Sequence, residues 1–387
     1  MRILIGAETY APHVNGASYF AQRLANALST RHDVHVVAPS TGYHSFRRRA
    51  ANGVVEHRVR ALPVPTHPGF RFCAPLDLRR VAGRILDEVR PDVVHVQSHF
   101  PLCRALVVEA RARGLHIVAT NHFMPENLTH YLPVGAAGRR AVHDWAWRDV
   151  ARVFAEADVV TAPTPYAAAL ATMSGVPGPV LPISCGIDLD RFGPSSAAAE
   201  FRLRHGLDGK PTVLYVGRLD AEKNLDVVIS AFALLTIDAQ LVLVGKGAER
   251  QHLEALAERL GVGAQVRFTG FVPDEELPAA YAAATVFVNA GTAELQSLVT
   301  LEAMASGRAV IGADAAALPH LVIDDETGYL FPPGDSVALS RRFLEVLGDP
   351  ELAADLGRRA RAHAEQHDEA RSVAAFENLY AMRQVLV

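Results

Sequence analysis

The stretch Gly291-Thr-Ala-Glu294-Leu-Gln-Ser-Leu-Val-Thr-Leu-Glu302-Ala-Met-Ala-Ser-Gly307 holds two glutamates. The apolar run 297–305 predicts the start of a helix, so Glu294 lies just outside its N-terminus and Glu302 inside it. Eight helical residues span about 12 Å, roughly the reach from a sugar ring across a diphosphate to a ribose. The N–H groups at a helix start favour anions between two such carboxylates. Taken alone, the same spacing also fits an ordinary helix, where a carboxylate near the N-terminus is favourable.

Length and composition indicate a two-domain globular protein. The chain has 387 residues, of which 50% are apolar and 21% charged, and its net charge is −4. This charge gives no reason to expect a nucleic-acid partner. The three cysteines lack metal-ligand spacing and fit buried thiols in a reducing compartment. Since no signal-peptide core or membrane-length apolar run is evident, we expect a cytoplasmic protein, at most peripheral on the inner face of the cell membrane.

The N-terminal half begins with a strand, a polar loop and a helix. The run 2–7 is apolar, the loop that follows ends in Asn15 and Gly16, and residues 17–29 have helical spacing. This order is typical of a Rossmann-like domain. Gly16 would let backbone N–H groups approach a phosphate, although an ordinary turn glycine explains it equally well. The loop is not a G-x-G-x-x-G motif, and we infer no dinucleotide.

Polar loops follow two later strands of this half. His99 comes after the predicted strand 92–96, and Asn121 and His122 come directly after the strand 116–120. Open α/β sheets bind ligands at the carboxyl ends of their strands. His122 is therefore a candidate to contact a sugar or a reacting phosphate, with a purely structural histidine as the alternative.

Two basic segments of this half could face an acceptor. Residues 41–75 are predicted to be irregular and include Arg47-Arg48-Arg49, which fits a solvated face or a surface for an anionic acceptor or lipid headgroup. The predicted helix 134–155 carries Trp145 and Trp147 among arginines. That combination fits a membrane-interface surface, although ordinary packing explains it too.

The alternation of strands and helices restarts after a segment rich in proline and glycine at 177–192. It predicts a second doubly wound parallel sheet. Arg218 and Lys223 share the loop after the predicted strand 212–216. Two cations beside a helix N-terminus fit a diphosphate clamp, with Arg as a fork and Lys as a point charge. The alternative is a pair of solvated cations, one of them paired with Glu222.

Motifs along nearly the whole chain resemble the retaining nucleotide-sugar glycosyltransferases of family 4. The C-terminal half carries the more specific ones, listed here: Val216-Gly-Arg-Leu, Lys223-Asn, Glu302-Ala-Met-Ala-Ser-Gly and Gly328-Tyr-Leu-Phe-Pro-Pro-Gly-Asp. The resemblance implies a GT-B fold, with two Rossmann-like doubly wound parallel-sheet domains facing across a cleft. Residues 1–182 would bind the acceptor and 183–367 the donor. The last helix, 368–387, would pack back on the first domain.

The resemblance also implies roles for single residues. Arg218 and Lys223 would bind the donor diphosphate, Glu302 the ribose and Glu294 the transferred sugar. His122 matches a family histidine near the sugar, and with Arg218, Lys223 and Glu294 it forms the expected catalytic set. Further donor contacts would come from Gly16, Gly245, Val272, Gln296, Ser297 and Leu298. Acceptor contacts would come from Asn15, His99, Asn121 and His122.

The chain departs from the commonest family pattern beside the sugar site. Many relatives have Glu-Gly-Phe-Gly there, whereas this chain has Glu294-Leu-Gln-Ser-Leu. The identity of the donor sugar therefore cannot be transferred from better-known relatives. Family frequency alone favours a UDP-sugar, and GDP-mannose is the alternative. Because no Asp-x-Asp motif lies in the predicted donor loops, we expect a metal-independent enzyme with no cofactor other than its nucleotide-sugar co-substrate. The expected acceptor is a lipid headgroup, a glycan or a small metabolite.

Two other kinds of protein remain open at this point. A nucleotide-sugar epimerase or a glycoside phosphorylase can use the same fold. An epimerase would change the sugar with no acceptor present, and a pyridoxal-phosphate phosphorylase would need a Schiff-base lysine site that no segment resembles. A non-catalytic subunit that binds sugar nucleotides is the second alternative, and the intact set of cations and glutamates argues against it.

Overall fold

The chain divides between Gly186 and Ile187 into two units. The computed structural model describes residues 1–13, 15–64, 67–74, 76–125, 135–193 and 197–382. Unit 1 comprises Met1–Gly186 together with the chain from Ala370 onward, and unit 2 comprises Ile187–Glu369. The predicted domain borders, after 182 and after 367, lie within a few residues of this division.

Unit 1 contains ten strands and six helices within its described residues. The strands are β1 (Arg2–Gly6), β2 (Asp33–Pro39), β3 (Phe46–Arg49), β4 (Val55–Val59), β5 (Leu62–Val64), β6 (His67–Phe72), β7 (Val93–Val96), β8 (His116–Thr120), β9 (Val159–Ala162) and β10 (Val180–Pro182). The helices are α1 (Gly16–Ser29), α2 (Leu78–Val89), α3 (Pro101–Ala112), α4 (Ala136–Phe154), α5 (Pro165–Met173) and, from the end of the chain, α13 (Glu369–Ala381).

The main sheet of unit 1 has the strand order β10-β9-β8-β7-β1-β2-β4-β3. Every pair in it is parallel except β3 with β4. The strands β7 and β8 are buried throughout, as strands covered on both faces must be. The order reverses between β1 and β7, so the loops that follow these two strands lie at the switch point where doubly wound sheets bind ligands.

The prediction that 41–75 is irregular was wrong. The segment contains β3 and β4, which extend the main sheet, and the antiparallel pair β5 and β6. The sequence prediction missed β4 because this buried strand contains the charged residues Glu56 and Arg58, whereas buried strands are usually apolar. Their burial is possible because the Glu56 carboxylate accepts hydrogen bonds from Arg58 Nε at 2.7 Å and from Arg48 Nε at 2.9 Å.

In the part of unit 2 that the structure describes there are six strands and seven helices. The strands are β11 (Thr212–Val216), β12 (Gln240–Val244), β13 (Val266–Gly270), β14 (Val286–Asn289), β15 (Ala309–Ala313) and β16 (Gly328–Phe331). The helices are α6 (Ala198–Arg204), α7 (Leu225–Ala233), α8 (Arg250–Arg259), α9 (Leu277–Ala283), α10 (Leu298–Ala305), α11 (Ser336–Gly348) and α12 (Pro350–Ala364).

The sheet of unit 2 has the order β13-β12-β11-β14-β15-β16, and all its pairs are parallel. Renumbered within the unit, this is the 3-2-1-4-5-6 order of a Rossmann-like sheet. Apolar clusters cover the sheet on two sides, one including Leu225 and Phe343 and the other Tyr281 and Leu301. The reversal lies between β11 and β14, which places the Arg218 loop and the Glu294 loop at one switch point.

Helix α12 packs closely on the turn that ends α10. A Cβ built on Gly357 of α12 would lie 2.2 Å from the carbonyl oxygen of Gly307, and no real Cβ tolerates that distance. The backbones approach this closely only because position 357 has no side chain. This contact fixes the helix that carries Glu302 against the rest of unit 2.

We expect Gly357→Ala to lower the free energy of unfolding by about 1–3 kcal/mol, because the new methyl group must push α12 away from Gly307. Thermal and denaturant unfolding of the full chain measure the change. The matched control is Gly348→Ala, since a Cβ at the exposed end of α11 meets nothing within 4 Å. Equal stability of the two variants would show that the close approach is not a real constraint.

Candidate functional site

The loops after β11 and β12 form one tightly packed layer at the switch point of unit 2. A Cβ on Gly245 would lie 1.8 Å from the carbonyl oxygen of Gly217, and both glycines have positive φ angles, 139° and 150°. Backbone hydrogen bonds continue the contact, from Leu219 N to Lys246 O at 2.9 Å and from Gly245 N to Gly270 O at 2.8 Å. Gly245 therefore has a structural role in holding the Arg218 loop, beside its predicted contact with the donor.

The structure brings Lys223 and Glu294 together across the switch point. Lys223 Nζ donates a hydrogen bond to Glu294 Oε1 at 2.8 Å, and each side chain is only 16% exposed. The neighbouring Asn224 fixes the same junction, since its Nδ2 donates to Ala290 O at 3.0 Å. The predicted phosphate cation and the predicted sugar carboxylate thus lie at one place in the fold, joined by an ion pair.

Arg218 has carboxylate partners within its own loop. It forms an ion pair with Asp220 and donates from Nη2 to Glu222 Oε1 at 2.6 Å. The Glu222 side chain is 2% exposed, whereas that of Arg218 is 38% exposed. The pairing with Glu222 that the sequence suggested as an alternative is therefore present. It orients the guanidinium and leaves part of its surface accessible to solvent.

Ser297 caps α10 and lies in a buried hydrogen-bond cluster. Its Oγ accepts from the backbone N–H of Thr300 at 3.3 Å and from Asn289 Nδ2 at 2.9 Å. Asn289 Oδ1 in turn accepts from Gly291 N at 3.0 Å. The cluster fixes the turn that carries Glu294, and it leaves the predicted contact residues Gln296 and Leu298 partly exposed at the helix start.

Glu302 lies inside α10 and Glu294 lies before it, as the sequence predicted. Glu302 is held by a residue that the sequence did not suggest. The hydroxyl of Tyr281, on α9, donates to Glu302 Oε2 at 2.7 Å. Tyr281 is fully buried, and burial together with the Glu302 charge raises its pKa well above the ordinary value. Tyr281 therefore stays protonated and remains a donor. Val272, the other predicted donor contact of this unit, is buried after β13.

His122 lies in unit 1 after β8 and is partly exposed. Its Nε2 donates to Gln97 Oε1 at 2.7 Å, and the ring of Phe20 lies 4.8 Å away between centroids. Desolvation by burial lowers its pKa to about 4. The imidazole is therefore neutral at neutral pH, so His122 can form hydrogen bonds there but is not a charged group.

Of the other three predicted acceptor residues, two are buried and one caps a helix. Asn121 is fully buried and bonds its own loop, with Oδ1 accepting from Phe123 N and Nδ2 donating to Phe123 O, both at 3.1 Å. His99 is 1% exposed, and burial lowers its pKa to about 3. Asn15 caps α1, accepting from Ser18 N at 2.9 Å. Gly16 begins the same helix and is exposed.

Each arginine of the basic run 47–49 has a hydrogen-bond or ion-pair partner. Arg47 pairs with Glu88, Arg48 with Glu56, and Arg49 donates to Gly53 O at 2.9 Å. On α4, Trp147 is buried and only Trp145 is exposed, at 57%. Within the described residues, no helix is both long and apolar enough to cross a membrane.

Two family models match the chain in tandem. Residues 14–191 match the model described as Glycosyltransferase Family 4, and residues 198–363 match Glycosyl transferases group 1. The chain is 33% identical to a GDP-mannose-dependent alpha-mannosyltransferase of Mycobacterium tuberculosis (strain CDC 1551 / Oshkosh), over 87% of this chain and 85% of that one. The chain belongs to glycosyltransferase family 4. It is a hexosyltransferase that takes its sugar from a nucleotide-sugar donor.

Two further proteins show how far the likeness extends. A GDP-mannose-dependent alpha-(1-6)-phosphatidylinositol monomannoside mannosyltransferase of Mycolicibacterium smegmatis (strain ATCC 700084 / mc(2)155) is 29% identical over 92% of this chain and 91% of that one. The solved sucrose-phosphate synthase of Thermosynechococcus elongatus is similar with a TM-score of 0.81 and 24% identity, over 99% of this chain and all of that one. The predicted GT-B fold class is thereby confirmed, whereas the roles of the single site residues stay predictions.

We expect Tyr281→Phe to weaken nucleotide binding about 10- to 100-fold, because Glu302 loses a hydrogen bond of the kind worth roughly 1.5–3 kcal/mol to a charged group. Isothermal titration with the nucleotide diphosphate measures the dissociation constant. Tyr329→Phe is the control, since it removes a hydroxyl from the edge strand β16. Equal affinity in wild type and Tyr281→Phe would contradict the role of this bond in nucleotide binding.

Proposed function

We propose that the enzyme transfers mannose from GDP-mannose, with retention and without a metal ion, to a hydroxyl of a lipid-linked or glycan acceptor. The observation that carries this proposal is the Lys223–Glu294 ion pair beside the capped start of α10. One residue supplies positive charge for a phosphate, and the other supplies a carboxylate for sugar hydroxyls. The helix start adds backbone N–H groups that favour an anion.

The donor proposal draws on relatives rather than on the geometry. Both mannosyltransferases compared above are named for GDP-mannose, and one is 33% identical to this chain. A UDP-sugar, which family frequency favours, stays a prediction and forms the second arm of the test. The leucine and glutamine that follow Glu294 fill space where many relatives have glycine, so the choice of sugar must be measured.

The acceptor proposal likewise draws on a relative's name and on one surface feature. The second mannosyltransferase acts on a phosphatidylinositol monomannoside, which is a lipid. Trp145 is exposed on α4, where an aromatic ring is suited to a membrane interface. A lipid-bound acceptor would bring the enzyme to a membrane surface as a peripheral protein.

In the proposed reaction the donor diphosphate leaves as the acceptor hydroxyl attacks the same face of the sugar. Arg218 and Lys223 stabilise the charge that develops on the leaving group, which is the part a metal ion would otherwise fill. Glu302 holds the ribose and Glu294 the transferred sugar. A departing phosphate oxygen takes the proton of the acceptor hydroxyl, so no nucleophilic residue is required.

A thermal-shift panel with GDP, UDP, ADP and their common sugars tests the donor. A ligand at a hundred times its dissociation constant adds about 2.7 kcal/mol to the free energy of unfolding. We expect GDP and GDP-mannose to raise the melting temperature, equally with EDTA and with magnesium. A larger shift with UDP would replace the donor in the proposal, and no shift with any nucleotide would contradict the donor site itself.

We expect Arg218→Ala and Lys223→Ala each to lower turnover about 10²–10³-fold, as loss of one donor to a developing anion does. A transfer assay with GDP-mannose and a lipid-mannoside acceptor measures turnover, and the melting temperature checks the fold. Lys210→Ala is the control, because Lys210 is a partly exposed cation that pairs with Asp208 before the amino end of β11. Full activity in both Arg218→Ala and Lys223→Ala would refute the proposed diphosphate clamp. Conversion of the donor sugar to another sugar in the absence of acceptor would indicate an epimerase.

A further inference from the structure

A chain of hydrogen bonds connects the last helix of unit 1 to His122. The hydroxyl of Tyr380, on α13, lies 2.7 Å from His95 Nδ1. His95 Nε2 lies 2.7 Å from the hydroxyl of Thr120 and 3.3 Å from Gln97 Nε2. The Oε1 atom of the same Gln97 side chain lies 2.7 Å from His122 Nε2. Four side chains from three separate parts of the chain therefore form one continuous path.

The path from Tyr380 to Gln97 is shielded from water, and only its end at His122 is partly exposed. Tyr380 is 2% exposed, Gln97 3% and His95 not at all. Buried polar groups lose more when a partner is removed than exposed ones do, because no water replaces the bond. The donor and acceptor roles along the path therefore depend on one another, so that a change at one group changes the roles at the next.

The donor and acceptor roles follow from the chemistry of each group. Burial lowers the pKa of His95 to about 3, so the ring is neutral and carries one N–H. Gln97 Nε2 can only donate, so His95 Nε2 accepts and His95 donates from Nδ1 to the hydroxyl of Tyr380. Gln97 Oε1 can only accept, so His122 donates from Nε2.

The distance between Gln97 and His122 disfavours the opposite direction of hydrogen bonding along the path. Rotating the Gln97 amide would place its nitrogen 2.7 Å from His122 Nε2. That separation is typical of N–H···O and short for a contact between two nitrogens. The path thus leaves the neutral His122 with its proton on Nε2 and a lone pair on Nδ1. Within the described residues His122 Nδ1 makes no hydrogen bond.

Apolar rings hold the two histidines in place around this path. Phe20 of α1 lies 4.8 Å from the His122 ring and 5.7 Å from Phe376 of α13. Phe376 lies 5.1 Å from the His95 ring. Helix α13 therefore acts on this region in two ways, through packing by Phe376 and through the hydrogen bond of Tyr380.

We propose that Gln97, held by His95 and Tyr380, is a positioning residue that keeps the proton of His122 on Nε2 and presents Nδ1 as acceptor for a substrate hydroxyl. The proposal rests on the proposed function, since the hydroxyl belongs to the transferred sugar or its acceptor. According to this proposal, the C-terminal helix α13 helps to set the proton position of His122.

Nitrogen-15 NMR of the full chain labelled at histidine tests the proton position directly. The signals of His122 are assigned by their loss in His122→Gln. We expect the wild type to show a neutral His122 protonated on Nε2. In Gln97→Leu we expect protonation on Nδ1 or a mixture. We expect Tyr380→Phe to shift the His122 proton in the same way, although Tyr380 does not contact His122. Without the Tyr380 hydroxyl, His95 moves its proton to Nε2 and the Gln97 amide rotates.

Phe376→Leu is the matched control for packing. It changes a side chain of the same helix that touches His95 through its ring alone. We expect it to lower the melting temperature while His122 keeps its proton on Nε2. A purely structural role of α13 would give Tyr380→Phe and Phe376→Leu the same NMR result, which would overturn the proposal.

Steady-state kinetics give the second readout. We expect Gln97→Leu and Tyr380→Phe to lower kcat about 10- to 100-fold, as misplacement of a positioned group does, with nucleotide affinity unchanged. An unchanged proton position in both variants, or a wild-type His122 protonated on Nδ1, would overturn the proposal. Full turnover in His122→Ala would refute the role of His122 Nδ1 as a hydrogen-bond acceptor for a substrate hydroxyl. Absence of nucleotide binding would refute the proposed function. The NMR result would then still decide whether the hydrogen-bond path sets the proton position of His122.

Discussion

The reversal of strand order is the constraint on which both candidate sites depend. The order of the parallel strands reverses between β1 and β7 in unit 1 and between β11 and β14 in unit 2. At such a reversal the connections leave the sheet in opposite directions and open a crevice at the carboxyl ends of the strands. Gln97 directly follows β7, Arg218 follows β11 and Glu294 follows β14. Their positions therefore follow from topology, and the details of the loops only refine them.

Paired charge characterises the site in unit 2. Lys223 bonds Glu294, and Arg218 bonds Glu222, so each predicted phosphate cation already has a carboxylate that fixes its direction. Oriented charges cost little reorganisation when a reaction develops new charge beside them. A phosphate that approaches Lys223 would share it with Glu294, which would couple the diphosphate to the sugar position. Donor binding and sugar recognition would then depend on one ion pair.

Neutral histidines characterise the site in unit 1. Burial lowers the pKa of His95, His99 and His122 well below the physiological range, to between about 3 and about 4. Such groups act through fixed donors and acceptors, and a change of charge near pH 7 has no part in their chemistry. The chain reaches this arrangement only when α13 returns to unit 1, because Tyr380 bonds His95 across 285 residues of sequence.

The sequence by itself determined the features that depend on local interactions. Apolar runs marked most strands, and the Ser297 cap with the helical run behind it fixed Glu294 outside α10 and Glu302 inside it. The tertiary structure alone decided the partners. Strand β4 was concealed because Glu56 and Arg58 are buried only as an ion pair, and Tyr281 reaches Glu302 from a separate helix. Lys223 meets Glu294 across 71 residues because β11 and β14 are neighbours in the sheet. Strand order arises from long-range packing, which local composition and periodicity do not encode.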